Sequence, residues 1–426
     1  MFGKVFVAAL ALTAAVSAQS SSASSATATS TASACLQSEV TATAQADLDS
    51  LSSCTTFSGN IILAETLSSA TITGIQEIEG NLICKNNTQI SSISAPSLQS
   101  IGGAFTLNGL TVLGTLSFPE LTSIGSINWV TLPAIDSLTF TTGVTSCDQI
   151  YISDTDLSTL NGITLDSVTT LDINNNLNLN EIEMPLTSVS DQIDVSFNGE
   201  TTISFPNLIW ANNLTFQDVE SISTPKLQTV NASYILISNN FEKLSAPNLT
   251  SVGGLSIIKN DDLTSISFPK LATIGSAGLE ISNNTQLEEF SFPKVSAISG
   301  AIVLSGSFDN ATFDDLTLVR GAVTISSDED FDCSAFDKMN DDNDIRGNDY
   351  VCSAASSSSS SVLSSSAASS SVTSSASASS AVATSSSAAS TSAASSSSTA
   401  GAVAFGPNTQ GVAFGGIIAA LFFGIF

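Results

Sequence analysis

The chain has 426 residues, with 38 acidic and 10 basic residues, no histidine and a net charge of −28. A chain this acidic is a poor partner for nucleic acid or for anionic lipid. The absence of histidine excludes Ser-His-Asp and Cys-His catalysis and the usual zinc sites, and no glycine-rich phosphate loop precedes a helix.

The N-terminal segment has the features of an export signal rather than of a folded domain. Lys4 precedes an apolar run, Val5 to Leu12, and the small residues Val16-Ser17-Ala18 follow as a cleavage pattern. Residues 1–18 are therefore predicted to be a secretory signal peptide. Residues 19–34 are nearly all Ser, Ala and Thr, which predicts a tail that cannot form a core.

A pair of cysteines opens the folded part. Cys35 and Cys54 are 19 residues apart and enclose residues 43–51, which predict a short amphipathic helix with Thr43 as its N-cap. In an exported protein such a pair indicates a disulfide. We expect this bond to fasten a cap over the open apolar end of a repeat structure.

One pattern recurs about a dozen times after this cap. It is clearest at residues 245–299, where Pro247, Pro269 and Pro293 each precede an apolar pair, a Gly or Ser turn and a short alternating strand. Asn-Asn or Asn-Asp ends the strand, where the chain must turn and Asn tolerates the left-handed conformation. A period of 22 to 24 residues is typical of a solenoid, since stacked coils bury the apolar side that one coil cannot.

The repeats predict a mainly β fold for residues 35–352: a right-handed parallel β-helix or leucine-rich-repeat-like solenoid of about 13 coils. Phenylalanines precede several corner prolines and should form one column in the stack. We expect this column to be an internal aromatic ladder, the alternative being an exposed strip on which sugar rings stack. The phenylalanines concerned are Phe118, Phe205, Phe268 and Phe292.

Two cysteines lie within the repeats. Alignment of the coils places Cys84 at a core-facing strand position, whereas Cys147 precedes its strand about three coils further on. Three coils correspond to roughly 14 Å, which exceeds the limit of ~7 Å between the Cα atoms of bridged cysteines. No bond between them is expected.

Carboxylate pairs are the remaining candidates for catalysis, since parallel β-helices can carry glycosidases or lyases. Asp154 and Asp156 form one pair. Asp172 and Asp194 share a column position on neighbouring coils, at a spacing of roughly 5 Å that resembles the pair of retaining glycosidases. Their column alternates with core residues and is interpreted as an ordinary solvent face, so no catalytic residue is predicted.

The C-terminal end of the repeats has the same cysteine spacing as the N-terminal end. Cys333 and Cys352 are again 19 residues apart and predict a second disulfide-fastened cap. The acidic runs 328–330 and 340–344 would suit calcium, but their order does not fit a twelve-residue calcium loop. The interpretation is a solvated acidic cap, with no metal and no cofactor.

The composition changes abruptly after this cap. Residues 353–400 are almost wholly Ser, Ala, Thr and Val, which is typical of an O-glycosylated stalk in an exported protein. The small residues 400–402, a short spacer and the apolar end 411–426 form a glycosylphosphatidylinositol (GPI) attachment signal. Ala400 is the expected acceptor, and residues 401–426 would be removed. A tail-anchored helix is the alternative, but the segment is short.

N-glycosylation sequons are also present in the repeats, and in an exported chain most of them are expected to carry glycans. The six acceptors are Asn86, Asn213, Asn231, Asn248, Asn283 and Asn310.

These features together resemble one known family. The most specific segments are residues 45–54, 127–135 and 205–216, which occur with both cysteine caps, the serine stalk and the GPI signal. With them the chain is similar to the fungal GPI-anchored cell-wall organisation proteins that have receptor L-domain-like, leucine-rich-type repeats. That family includes extracellular-matrix and sporulation-specific wall proteins.

The resemblance implies a nonenzymatic glycoprotein of the plasma-membrane outer leaflet and cell wall, required for wall organisation and integrity. It would act as a scaffold or binding surface for β-glucan, mannan or wall-assembly proteins. The family supplies no catalytic residues. One alternative is a carbohydrate-active enzyme, a glycosidase, transglycosidase or lyase, on the same β-helix. Another is a membrane receptor, which would need a co-receptor.

Overall fold

Residues 33–355 are described by the computed structural model, and they form a parallel β-solenoid of about 13 turns. Two helices lie near its ends, α1 (Gln45–Asp49) and α2 (Ser334–Asp341). The strands are β1 (Glu39–Ala42), β2 (Thr56–Phe57), β3 (Asn60–Leu63), β4 (Ser69–Thr71), β5 (Glu77–Ile78), β6 (Leu82–Lys85), β7 (Ser92–Ser94), β8 (Ser100–Asn108), β9 (Thr115–Ser117), β10 (Ser123–Leu132), β11 (Ser146–Thr155), β12 (Ser167–Asn174), β13 (Glu181–Glu183), β14 (Ser188–Ser204), β15 (Trp210–Ser223), β16 (Thr229–Ile237), β17 (Lys243–Ser245), β18 (Ser251–Ile258), β19 (Ser265–Ser267), β20 (Thr273–Ser282), β21 (Glu289–Ser291), β22 (Ala297–Ile298), β23 (Ile302–Gly306), β24 (Asn310–Thr312), β25 (Leu318–Val319), β26 (Val323–Ser327) and β27 (Tyr350–Ala354).

One strand from each turn joins a continuous parallel sheet, which we call the long sheet. Its order is β1-β3-β6-β8-β10-β11-β12-β14-β15-β16-β18-β20-β23-β26-β27. Smaller parallel sheets, such as β4-β7-β9 and β17-β19, form a second side of the solenoid. The repeat length keeps equivalent residues in register, so that Leu255 pairs with Leu279 and Ile257 with Ile281. The predicted fold class is confirmed.

Alternation along each strand builds the core. Leu279 and Ile281 of β20 are buried, whereas Glu280 between them is half-buried and faces outward. The coils approach closely at a register shift near the start of β18 and β20. A Cβ atom on Gly253 would lie 2.3 Å from the carbonyl oxygen of Ala232, and one on Gly275 would lie 2.7 Å from that of Gly253. Glycine is therefore required at these two positions by the close stacking of neighbouring coils.

The predicted phenylalanine ladder is internal. The four phenylalanines named from the sequence are at most 1% exposed. Phe268 stacks on Phe292 with a centroid distance of 5.9 Å, and Phe292 stacks on Phe313 at 5.3 Å. The ladder is interrupted before Phe268, because Thr224 and Ala246 occupy the equivalent position in the two preceding coils.

Asparagines at the strand ends have two different roles. The residue before each buried asparagine adopts the left-handed conformation; it is an asparagine at Asn175 (φ 57°), as the sequence predicts, but Lys259 (φ 54°) before Asn260. The buried asparagine itself bonds the neighbouring coil, which the sequence did not predict. Asn260 donates from Nδ2 to the carbonyl oxygen of Leu236 (3.2 Å), and its Oδ1 accepts from the backbone N–H of Asn239 (3.0 Å). The buried ladder asparagines are Asn87, Asn176, Asn198, Asn239, Asn260 and Asn284.

The N-terminal cap is closed as predicted. Cys35 and Cys54 are bonded, and α1 buries Leu48 against the first coil. The helix begins differently from the expectation, because Ala44 and not Thr43 is the N-cap. The carboxylate of Asp47 accepts hydrogen bonds from the backbone N–H groups of both residues, which stabilises the helix start without an N-cap side chain.

The C-terminal cap repeats the arrangement. Cys333 and Cys352 are bonded, and Phe336 of α2 is buried with its ring centroid 5.8 Å from that of Phe313. The phenolic hydroxyl of Tyr350 donates to Asp337 at 2.6 Å and holds β27 against α2. Within residues 33–355, no helix is both long and apolar enough to cross a membrane.

Candidate functional site

The outward side of the long sheet, which we call the outer face, is the most extensive regular surface of the solenoid. The register aligns one outward residue from each strand in a central column, and every member is exposed or half-buried. The central column is Thr41, Ile62, Ile83, Thr106, Asn128, Tyr151, Asp172, Asp194, Thr215, Ile235, Ser256, Glu280, Val303, Thr324 and Val351. It contains no lysine or arginine.

The register brings three chemically distinctive side chains together in the middle of the central column. Tyr151 pairs with Asp172, and Asp172 pairs with Asp194. Asn174 donates from Nδ2 to Oδ1 of Asp172 at 2.7 Å, and the hydroxyl of Ser153 donates to Oδ1 of Asn174 at 2.6 Å. These bonds orient the Asp172 carboxylate on the outer face.

Both residues of the aspartate pair are half-buried, as are most members of the central column. Burial raises the pKa of Asp172, and a hydrogen bond from Asn174 partly opposes this effect. Burial also raises the pKa of Asp194; a hydrogen bond from Ser196 partly opposes this effect, and the neighbouring charge of Asp172 adds to the increase. Oδ1 of Asp194 is buried and accepts no hydrogen bond from the described residues.

The second carboxylate pair considered from the sequence lies at the end of β11. Asp154 is exposed at a left-handed position (φ 57°) within β11, and Asp156, directly after the strand, accepts a hydrogen bond from Nδ2 of Asn178 on the next coil. The buried Thr155 separates the two. Neither belongs to the central column that contains Asp172 and Asp194.

The acidic C-terminal cap is a solvated surface. Asp342 pairs with Lys338, and both side chains are more than half exposed. Among residues 33–355, no group of three or more histidine, cysteine, aspartate or glutamate side chains is arranged to hold a metal ion.

The structure also contains an acidic groove that the repeat pattern did not reveal. Glu200, Glu220, Glu242, Asp262 and Lys243 line a cavity of about 890 Å³ beside the short strands. Glu200 lies in β14 and Glu220 in β15, whereas Glu242 and Asp262 lie in turns. Their spacing of 20 to 22 residues is close to the repeat length, but the sequence analysis did not group them. With four carboxylates and one lysine, the groove repels anionic ligands.

Cys84 and Cys147 are free and buried, as expected from their separation. Burial raises the pKa of the Cys84 thiol to about 12 and that of Cys147 to about 11. Thiols with such pKa values remain protonated at neutral pH and are poor nucleophiles. They are core residues rather than reactive groups.

The six sequons fall into two structural groups. Asn213 and Asn248 are half-buried, and their Nδ2 atoms donate to the carbonyl oxygens of Asp191 (3.3 Å) and Pro225 (2.7 Å). The other four acceptors are exposed, and they are Asn86, Asn231, Asn283 and Asn310. The predicted signal peptide at 1–18, the stalk beyond residue 355 and the GPI acceptor Ala400 lie outside the described residues.

Comparison with curated proteins finds several fungal relatives. The chain is 37% identical over 319 residues to "Protein ecm33" of Aspergillus fumigatus, which covers 74% of this chain and 80% of that protein. It is 40% identical over 333 residues to "Cell wall mannoprotein PST1" of Saccharomyces cerevisiae, covering 76% and 73%. It is 36% identical over 332 residues to "Cell surface GPI-anchored protein ECM33" of Candida albicans, covering 77% and 80%.

No protein-family model and no solved structure matches the chain. The curated relatives alone carry the assignment, and each covers about three quarters of the chain. This chain belongs to the ecm33 and PST1 family of fungal cell-wall and GPI-anchored cell-surface proteins.

Proposed function

We propose that this protein is a nonenzymatic scaffold of the fungal cell wall whose outer face binds wall polysaccharide. The observation that carries the proposal is the outer face itself, which is parallel, in register and free of lysine and arginine along its central column. The names of the relatives, which are cell-wall and cell-surface proteins, support the location.

The mechanism is display of many similar, weak contacts. With strands about 4.8 Å apart, the fifteen-residue central column extends for about 65 Å. A long polymer that makes several weak contacts along this length is held more firmly than any single contact would allow, because each later contact forms within one complex.

The terminal segments supply the attachment in this proposal. The signal peptide at 1–18 directs export, residues 19–34 form a polar tail, and residues 353–400 form an O-glycosylated stalk. A GPI anchor on Ala400 would hold the solenoid at the outer leaflet after removal of residues 401–426. Glycans on the exposed sequons would cover the solenoid outside the central column.

A carbohydrate-active enzyme is the second candidate. It is favoured by one observation, the Asp172 and Asp194 pair with raised pKa values on adjacent strands. Such pairs serve as acid and nucleophile in retaining glycosidases.

A wall-assembly protein is the other candidate ligand of the outer face.

One experiment separates these functions. The full-length protein, purified in detergent, is incubated with insoluble β-glucan, chitin and mannan, and both retained protein and polymer chain length are measured. We expect retention on one polymer with unchanged chain lengths. Shortened or transferred chains would establish the enzyme instead, and no retention on any polymer would contradict polysaccharide binding.

A further inference from the structure

The aromatic side chains of the solenoid are nearly all internal, and the exceptions share one location. Tyr151 is 37% exposed and Phe197 is 49% exposed, and they are the only two exposed aromatic residues within 33–355. Tyr151 lies on β11 and Phe197 on β14, two strands apart in the long sheet. Asp172 lies on β12, between these two strands, and Asp194 lies on β14.

Phe197 is held in an unfavourable backbone conformation. Its φ is 56°, in the left-handed region that bulky side chains avoid. The equivalent residue is Asn175 in the preceding coil and Asp218 in the following one, both of which tolerate this conformation better. Packing does not explain why this solenoid, which buries its other phenylalanines, exposes a strained one. Backbone strain of this kind is often associated with function.

The carboxylates beside Tyr151 lack a compensating cation among the described residues. Neither Asp172 nor Asp194 takes part in an ion pair there; such pairs join Lys294 with Asp315 and Lys338 with Asp342. Oδ1 of Asp194 accepts no hydrogen bond from the described residues. Ionised carboxylates act only as hydrogen-bond acceptors, so the pair is complementary to a ligand rich in hydroxyl donors.

From this arrangement we propose that Tyr151, Phe197 and the Asp172–Asp194 pair form one subsite for a short stretch of an uncharged polysaccharide chain. The proposal rests on the proposed function and specifies the chemistry of its ligand. The rings provide apolar surfaces for the C–H faces of sugar rings, and the carboxylates accept from sugar hydroxyls.

Charge and geometry define the ligand further. Two adjacent carboxylates repel an anionic polymer, and the net charge of −28 adds to the repulsion. Tyr151, Asp172 and Asp194 lie in one column across three strands, so the span from Tyr151 to Asp194 is about 10 Å. Phe197 is three residues past Asp194, roughly 10 Å further along β14. A polysaccharide segment that contacts both rings therefore crosses the strands obliquely, from Tyr151 past the aspartates to Phe197.

The test compares variants of the full-length protein for binding of soluble β-glucan and mannan oligosaccharides by calorimetry, with polygalacturonate as the anionic polymer. We expect Tyr151→Ser and Phe197→Asn, neither of which creates a sequon, each to weaken binding of the neutral oligosaccharide at least tenfold. Val112→Asn, which changes an exposed apolar side chain in the turn between β8 and β9, is the matched control and should bind as the original protein does. Polygalacturonate should not bind.

Phe197→Asn also separates binding from folding. Because Asn suits the left-handed turn, this variant should unfold at the same temperature as the original protein or higher, while binding is lost. Unchanged affinity in both aromatic variants would overturn the subsite, although retention on insoluble polymer would still support the proposed function. Binding that chelator abolishes would show that the aspartates hold a cation, which also overturns the proposal.

Discussion

Single asparagine side chains fasten one coil to the next. Asn260 donates to the carbonyl oxygen of Leu236 and to Oδ1 of Asn284, and its own Oδ1 accepts from the backbone and side chain of Asn239. All these groups are buried, so water cannot replace a lost partner.

Replacement of one ladder residue should therefore be costly. We expect Asn260→Leu to lower the free energy of unfolding by roughly 2–5 kcal/mol, because several buried polar groups lose their partners. Asp261→Ala, at the next and exposed position, is the control and should change the stability by less than about 0.5 kcal/mol. Denaturant titration of both variants measures the difference. Equal stabilities would contradict a structural role for the ladder.

The Asp194 carboxyl makes stability depend on pH. Because burial raises its pKa in the folded protein above 3.8, the folded state holds the proton more tightly than the unfolded chain. The resulting stability is present at low pH and is lost as the pH rises through the raised pKa.

Asp194→Thr removes this dependence without creating a glycosylation sequon. At pH 7 we expect the variant to gain more in unfolding temperature over the original protein than it does below pH 3.8. Ser256→Val, at a column position without an ionisable group, should shift the unfolding temperature by the same amount at both pH values. A pH-independent effect of Asp194→Thr would be inconsistent with a raised pKa.

At the scale of elements, strand cores were predictable and strand lengths were not. Alternation of Leu255, Ser256 and Ile257 identified the centre of β18 (Ser251–Ile258), because period-two burial is a local signal. The 17-residue β14 (Ser188–Ser204) was not anticipated as one strand. The register of β14 against β15 shifts within the strand. The polar residues in that part of β14 do not alternate with apolar ones, so the pairing of β14 with neighbouring strands decides its length.

The same distinction applies to the candidate site. The sequence identified Asp172 and Asp194 as column neighbours because the repeat fixes their register. It did not indicate their partial burial or the exposure of Phe197, since both depend on how the neighbouring coils stack. The buried ladder asparagines were interpreted as turn residues, because their partners lie on other coils and leave no local signal.

The two caps act as separate elements, since each coil contacts only its neighbours. Replacing both Cys333 and Cys352 with serine should destabilise the last coils by about 3 kcal/mol, the loop-closure contribution expected for a disulfide of this span. Hydrogen exchange should accelerate in β26 and β27 and stay unchanged in β10 and β11.

The equivalent change at the other end is the reciprocal control. Replacing Cys35 and Cys54 with serine should accelerate exchange in β1 and β3 and leave β26 unaffected. Uniform acceleration along the solenoid in either variant would show that the molecule unfolds as one unit.

At the scale of the whole molecule, the net charge and the surface of the solenoid favour the same class of ligand. The net charge of −28 and the acidic groove disfavour polyanions, whereas the outer face presents hydroxyl, amide and carboxylate groups in register along the solenoid. These properties suit an extended, uncharged polymer and agree with membership of a family of wall and surface proteins.

Hydroxyl-radical footprinting of the full-length protein, free and bound to insoluble wall polysaccharide, tests this account most directly. Radicals oxidise exposed side chains, and the solenoid has suitable reporters both on the outer face (Tyr151, Phe197) and elsewhere (Leu36, Val112). We predict that polymer protects Tyr151 and Phe197 while oxidation of Leu36 and Val112 is unchanged. Protection of Val112 without Tyr151, or no protection at all, would contradict binding through the outer face.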